Sequence, residues 1–201
     1  MIIGIYNRAG AVTFSGLLLA VAACILSFQQ HVNWAVICLM SAGICDLFDG
    51  WIARRMNMTP AEKTFGLHID SLVDMAAFGL TPAIILLHVG FSGWIDGLLF
   101  GLYGCCAAMR LAVFNQNSMA PQQVRQGYTG LPVTYAALIF PVVLLLEKWL
   151  SAGAFTGIVR ATVLVVAVGF VLKIPIPKPR GGAYGFFVLL FLALTILWSR
   201  N

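Results

Sequence analysis

Seven apolar stretches, separated by short polar breaks, decide what this chain can fold into; they cover roughly 11–29, 33–53, 65–90, 94–114, 130–150, 153–172 and 182–199. A helix needs about 20 apolar residues to cross the hydrocarbon core. A soluble core has no use for so many runs of that length. Composition agrees, because the chain is 61% hydrophobic and only 9% charged, against about 25% charged in a soluble domain. The expectation is an all-α, polytopic transmembrane helix bundle forming one domain over residues 1–201.

Local signals refine this picture. Pro82 lies inside the third stretch and should kink it or mark its exit. Ile2 to Arg8 has the composition of a short interfacial helix before the first span. Val21-Ala22-Ala23-Cys24 is similar to a lipoprotein cleavage site, but Ile25, Leu26 and Phe28 continue the apolar run, so an uncleaved first helix is expected. Cys24, Cys38, Cys45, Cys105 and Cys106 sit in apolar runs without metal-ligand spacing and read as free membrane-embedded thiols. Trp34, Trp94, Trp149 and Trp198 fall at span ends and read as interfacial anchors. His31, His68 and His88 read as interfacial side chains.

The net charge is +5, and the basic residues gather at the span ends. Counted by alternating sides, Arg8, Arg54, Arg55, Lys63, Arg110, Arg125, Lys173, Lys178 and Arg180 share one face. Lys148, Arg160 and Arg200 share the other. Positive charge favours the cytoplasmic side. The expected topology is therefore multi-pass in the cell (inner) membrane, with the N-terminus and the 54–63 connection cytoplasmic. No basic aromatic stripe is present, so nucleic acid is not an expected partner. Membrane lipids are, with the basic, proline-rich 173–180 connector suited to anionic headgroups.

Against this apolar background stand Asp46, Asp49, Asp70 and Asp74. Ionisable groups at membrane depth are costly and are usually functional. All four here carry the same sign, so they cannot neutralise one another, and divalent cations are the simplest partners. Asp46, Asp49, Gly50 and Ala53 share one face at the end of the second span. Gly66, Asp70 and Asp74 share one face at the start of the third. Asp46 lies about 12 Å back from Arg54 along its helix, and Asp74 about 12 Å on from Gly66, so the two faces meet at similar depth. This is an arrangement suited to two metal ions clamping a phosphate. Gly50, Ala53 and Gly66 serve either close helix packing or the approach of a flat ligand. Arg54 serves either a phosphate or membrane anchoring.

The pattern D-x2-D-G-x2-A-R-x11-G-x3-D-x3-D resembles the signature of the CDP-alcohol phosphatidyltransferase family. The resemblance covers the first three-quarters of the chain. It implies a six-helix core, here with about one extra C-terminal helix, and a Mg²⁺- or Mn²⁺-dependent transfer using two ions. It implies that Asp46, Asp49 and Asp70 hold metal, while Asp74 supports the second metal and acts as catalytic base. It implies that Gly50, Ala53, Arg54 and Gly66 contact the CDP-lipid. Phe65-Gly66, Asp70-Ser71-Leu72, Asp74, Phe78-Gly79 and Pro82-Ala83 resemble the serine-accepting branch of that family. Arg110 to Asn115 resembles its RLARFN stretch, with Val113 in place of an arginine. Gly130-Leu131-Pro132 and Ile174 to Pro177 resemble two later segments.

The resemblance therefore implies an enzyme that takes CDP-diacylglycerol and L-serine and releases phosphatidylserine and CMP. Arg110 would bind the serine carboxylate and Asn115 would lie beside it; a snorkelling arginine and a helix-terminal asparagine are the alternatives. A homodimer is also expected. Three rival readings remain. One is the same chemistry with glycerol phosphate or an inositol phosphate, which would call for more cations after the motif than Arg110 and Arg125. Another is an archaeal CDP-lipid donor. The last is a cation transporter, which would call for polar residues continuing across the membrane.

Overall fold

Each apolar stretch becomes a helical rod in the computed structural model, which describes residues 4, 5, 7–119, 130–174 and 182–200. Arg125, Lys178, Arg180 and the prolines at 175 and 177 lie outside the described residues. The helices are α1 (Arg8–Phe28), α2 (Val32–Ala53), α3 (Pro60–Asp74), α4 (Thr81–Val89), α5 (Trp94–Met119), α6 (Ala136–Leu144), α7 (Ala152–Val171) and α8 (Gly182–Ser199). A π-helical segment, Met75–Leu80, joins α3 to α4 in one rod. Short 3₁₀ turns, Val133–Tyr135 and Leu145–Lys148, flank α6. The result is a polytopic helix bundle. The rods Arg8–Phe28, Val32–Ala53, Pro60–Val89, Trp94–Met119 and Ala152–Val171 are long and apolar enough to cross a membrane. The rod around α6 is shorter and carries Pro141 internally, which removes one ladder hydrogen bond.

The rod boundaries have local causes. Asn7 caps α1 by accepting from the Gly10 N–H at 2.8 Å. Gly4, Ile5 and Asn7 are not helical, so the interfacial helix expected over Ile2 to Arg8 does not extend through them. Thr59 and Glu62 close a reciprocal capping box on α3, with Pro60 in its first turn. This starts the helix five residues before the apolar run does, since capping satisfies the exposed N–H groups where hydrophobicity gives no signal. Gly90 ends α4 at φ 116°, and the Phe91 N–H returns to the Leu86 carbonyl at 3.1 Å. That left-handed position favours glycine.

Pro82 does mark a departure from regular helix. Its ring cannot accommodate the carbonyl four residues back, which belongs to Phe78. Tyr103 of α5 donates its hydroxyl to that carbonyl, and the Thr81 hydroxyl donates to the Ala76 carbonyl at 2.9 Å. The preceding turn widens into the π segment directly after Asp74.

α1 and α2 form a closely packed hairpin, and α5 packs along α7. Small residues allow close approach: a Cβ on Gly16 of α1 would stand 3.4 Å from the Cys45 Cβ of α2, and one on Gly43 of α2 would stand 3.0 Å from the Ala137 Cβ of α6. On the face away from the acids, Asp96 is buried and receives both Arg160 Nε at 2.7 Å and Arg160 Nη2 at 3.1 Å. Arg160, read from the sequence as a topology charge, is thus a clamp between α5 and α7. Trp34, Trp94 and Trp149 are exposed, as interfacial anchors require, but Trp198 is only 6% exposed. Trp198 is therefore corrected to a bundle residue: α8 packs on α2 and α6, which turns that ring inward. The cysteines are free, and Cys24 Sγ contacts Thr81 Oγ1 at 3.6 Å.

Candidate active site

The end of α2 and the middle of α3 face each other across the six-residue connection that follows Ala53. Helical spacing puts Asp46 and Asp49 on one side of the gap and Asp70 and Asp74 on the other. One carboxylate oxygen from each of Asp46, Asp49 and Asp70 lies within 4.8 Å of the others. Asp74 stands one turn deeper and is within hydrogen-bonding reach of Asp46. Asp49 and Asp74 are buried, while Asp46 and Asp70 are half-buried.

The acids line a small cleft together with Thr13, Gly16, Ala42, Val73, Ala77 and Phe78. Its polar wall is the carboxylates and a hydroxyl, and its inner end is apolar. Carboxylate oxygens are hard donors that suit Mg²⁺ or Mn²⁺ rather than a thiophilic metal. The grouped ligand set contains neither cysteine nor histidine. So dense a set of carboxylates stays fully ionised only with positive charge between its members. The residues present therefore fit a divalent-metal site.

Two hydroxyls outside the aspartate motif complete the cluster. Thr13 of α1 donates to Asp49 Oδ2 at 2.6 Å. Thr134, in the 3₁₀ turn before α6, donates to Asp46 Oδ2 at 2.8 Å. Sequence reading passed over both, because the contacts span 36 and 88 residues and leave no local pattern.

The motif glycines can now be separated from packing glycines. Among the described residues a Cβ on Gly66 would meet nothing within 4 Å, and one on Gly50 would meet only Arg54 Nη1 at 3.3 Å. Helix packing therefore accounts for neither. Ala53 and Arg54 continue the same helix end, with Arg54 as its C-cap. Beside them the Arg55 guanidinium lies 3.5 Å from the Trp51 ring centroid.

Arg110 and Asn115 do not line the acidic cleft. α5 runs to Met119, so Arg110 is deeper than the expected span end at 114 implied. It is buried, and its Nε donates to the Leu131 carbonyl at 3.2 Å, which is not how a snorkelling arginine behaves. Asn115 Oδ1 accepts from the Ser71 hydroxyl at 2.8 Å, which ties α5 to the residue after Asp70. His68 and His31 are exposed, and His88 Nδ1 bonds the Ile84 carbonyl at 2.8 Å.

Comparison with known proteins bears on what this cleft is. A Mycobacterium leprae protein named CDP-diacylglycerol--serine O-phosphatidyltransferase is 31% identical over 161 residues, covering 77% of this chain and 52% of that one. A Helicobacter pylori protein of the same name is 34% identical over 119 residues, covering 57% of this chain and 46% of the relative. The archaetidylserine synthase of Methanothermobacter thermautotrophicus is 28% identical over 162 residues, covering 80% of this chain and 64% of the relative. The chain spans about half to under two thirds of the length of these relatives. The profile of the CDP-alcohol phosphatidyltransferase family matches residues 6–171. That match takes in every acid of the cleft and both hydroxyls that hold them, and the chain belongs to the CDP-alcohol phosphatidyltransferase family.

Proposed function

We propose that this chain transfers a phosphatidyl group from CDP-diacylglycerol to the hydroxyl of L-serine, giving phosphatidylserine and CMP. The observation that carries the reading is the meeting of Asp46, Asp49 and Asp70 oxygens within 4.8 Å. Serine as acceptor is supported by the names of the relatives and by the Phe65 to Ala83 pattern.

Asp46, Asp49, Asp70 and Asp74 would hold two Mg²⁺ or Mn²⁺ ions, which when bound neutralise the charge of the pyrophosphate and of the departing nucleotide. Gly50, Ala53 and Gly66 present a surface without bulky side chains to the CDP group, and Arg54 pairs with its phosphate. Asp74, the deepest acid, takes the proton from the serine hydroxyl. The serine oxygen then bonds to the phosphorus that carries diacylglycerol. The bond from that phosphorus to the CMP oxygen breaks, and CMP leaves with the electron pair. Arg110 and Asn115 are assigned to the serine side. Holding the reactants in line supplies much of the rate, and fixed charge supplies the rest. The acidic end faces the cytoplasm of the cell membrane, as the basic residues around it favour.

The test is CMP release by the purified chain with CDP-diacylglycerol and a panel of alcohols. Serine should be the fastest acceptor, and excess chelator should abolish turnover. Full activity in chelator would remove the metal reading. Faster turnover with glycerol phosphate or an inositol phosphate would replace serine while leaving the chemistry in place. An archaeal CDP-lipid run beside CDP-diacylglycerol identifies the donor.

A further inference from the structure

We propose that Thr13 and Thr134 are positioning residues that hold Asp49 and Asp46 as one-oxygen metal ligands and thereby set the preference for a small divalent ion. The inference rests on the reading of the acids as a divalent-metal site. It adds which residues orient them and which ion the orientation selects.

Both hydroxyls act on the same kind of atom. Thr13 Oγ1 lies 2.6 Å from Asp49 Oδ2, and Thr134 Oγ1 lies 2.8 Å from Asp46 Oδ2. Thr13 Oγ1 is also 3.1 Å from the Ala9 carbonyl. A hydroxyl has one hydrogen, and the shorter contact to the charged carboxylate takes it. In both acids a threonine hydroxyl thus engages Oδ2. A carboxylate so held favours one-oxygen coordination. Ca²⁺ accepts two-oxygen carboxylates at 2.3–2.6 Å in flexible geometry, whereas Mg²⁺ demands near-octahedral geometry at about 2.0–2.1 Å. Fixing the ligand oxygens in advance favours the smaller ion.

The two donors are themselves held firmly. Thr13 is buried in α1, against α2. Thr134 follows a tight segment whose Leu131 N–H bonds the Gly169 carbonyl at 2.8 Å and whose Gly130 N–H bonds the Ile174 carbonyl at 2.9 Å. Gly130 adopts φ 86°, and a Cβ there would stand 2.8 Å from the Phe170 carbonyl oxygen. Only glycine fits, so the segment cannot easily slide and Thr134 keeps its place. Partners that orient metal ligands are commonly worth 10–100-fold in metal affinity.

The experiment is Mn²⁺ titration of the full chain in lipid nanodiscs, followed by electron paramagnetic resonance, with Ca²⁺ as competitor. Thr13→Val and Thr134→Val keep the shape and remove the hydroxyl; Thr13→Ser and Thr134→Ser keep the hydroxyl. Each valine variant should weaken Mn²⁺ binding about tenfold or more and narrow the preference for Mn²⁺ over Ca²⁺. Each serine variant should restore both to within about threefold of wild type, and a valine variant that fails to fold leaves its serine and alanine counterparts to be compared in the same way. A hydroxyl-free variant that folds and binds Mn²⁺ within twofold of wild type, with selectivity unchanged, overturns the inference while leaving the metal site standing. Failure of the wild-type chain to bind Mn²⁺ at all overturns both.

Discussion

Gly66 offers a prediction in which stability and function should move in opposite directions. It sits one helical turn before Asp70, is exposed, and among the described residues has no atom within 4 Å of the place its Cβ would occupy. Inside a helix, glycine is about 0.5–1 kcal/mol less favourable than alanine. With nothing to collide with, Gly66→Ala should hold or raise the thermal midpoint. If the empty space receives the CDP group, the added methyl overlaps the ligand. Overpacking of that kind costs about 1–3 kcal/mol, so the KM for CDP-diacylglycerol should rise roughly fivefold to a hundredfold. Gly66→Leu should abolish CDP-lipid binding in a folded protein. Gly43 is the control, since its added Cβ would press on Ala137 at 3.0 Å, and Gly43→Ala should lower the midpoint. The assays are thermal unfolding in detergent and CMP release against CDP-lipid concentration. A folded Gly66→Ala with an unchanged KM would refute the nucleotide pocket at this position. A destabilised one would refute the reading of the glycine as unpacked.

Two further predictions separate roles within the site. Asp70→Asn should lose activity together with Mn²⁺ affinity, whereas Asp74→Asn should lose turnover while CDP-lipid binding is largely kept; near-normal turnover in Asp74→Asn would remove it as base. Arg110→Ala should raise the KM for serine far more than that for CDP-diacylglycerol, by roughly tenfold to a hundredfold for one charge-assisted bond, and an equal rise in both would make Arg110 a support for the Leu131 carbonyl alone.

How much of this was readable in the sequence differs by element. Rod positions were legible because burial in lipid forces long apolar runs, and such runs need no partner to be recognised. The Asp set was legible for the opposite reason: charge is so costly there that its presence needs an explanation. The start of α3 was mis-set by five residues, although Thr59-Pro60-Ala61-Glu62 carries a capping signature that a hydrophobicity reading ignores. The rod around α6 reads as a full span, but Pro141 and the 3₁₀ turns at both ends shorten its regular helix. Trp198 looked like an anchor by position alone; its burial depends on which way α8 rolls against α2, and that is a property of the pair. Thr13, Thr134 and the Asp96–Arg160 clamp were out of reach for the same reason, since each is a contact between side chains on distant elements.

The shape of the cleft favours a resident metal over a transported one. A cation path would continue past the acids as polar groups able to take the ion onward. Beyond Asp74 the cleft instead meets Ala77 and Phe78, and Phe78 is 1% exposed. The next polar groups in that direction are already committed. The Phe78 carbonyl accepts from Tyr103, and the Thr81 hydroxyl donates to the Ala76 carbonyl and contacts Cys24. Ala77 and Phe78 of the π segment thus line the cleft beside carbonyls, those of Ala76 and Phe78, that already accept hydroxyl bonds. Among the described residues an ion held by Asp46, Asp49 and Asp70 would have to enter and leave at the end where Gly50, Arg54 and Gly66 stand. That is also the end where a phosphate carried on a lipid would arrive, which places metal and substrate at one mouth and favours a cofactor over a cargo.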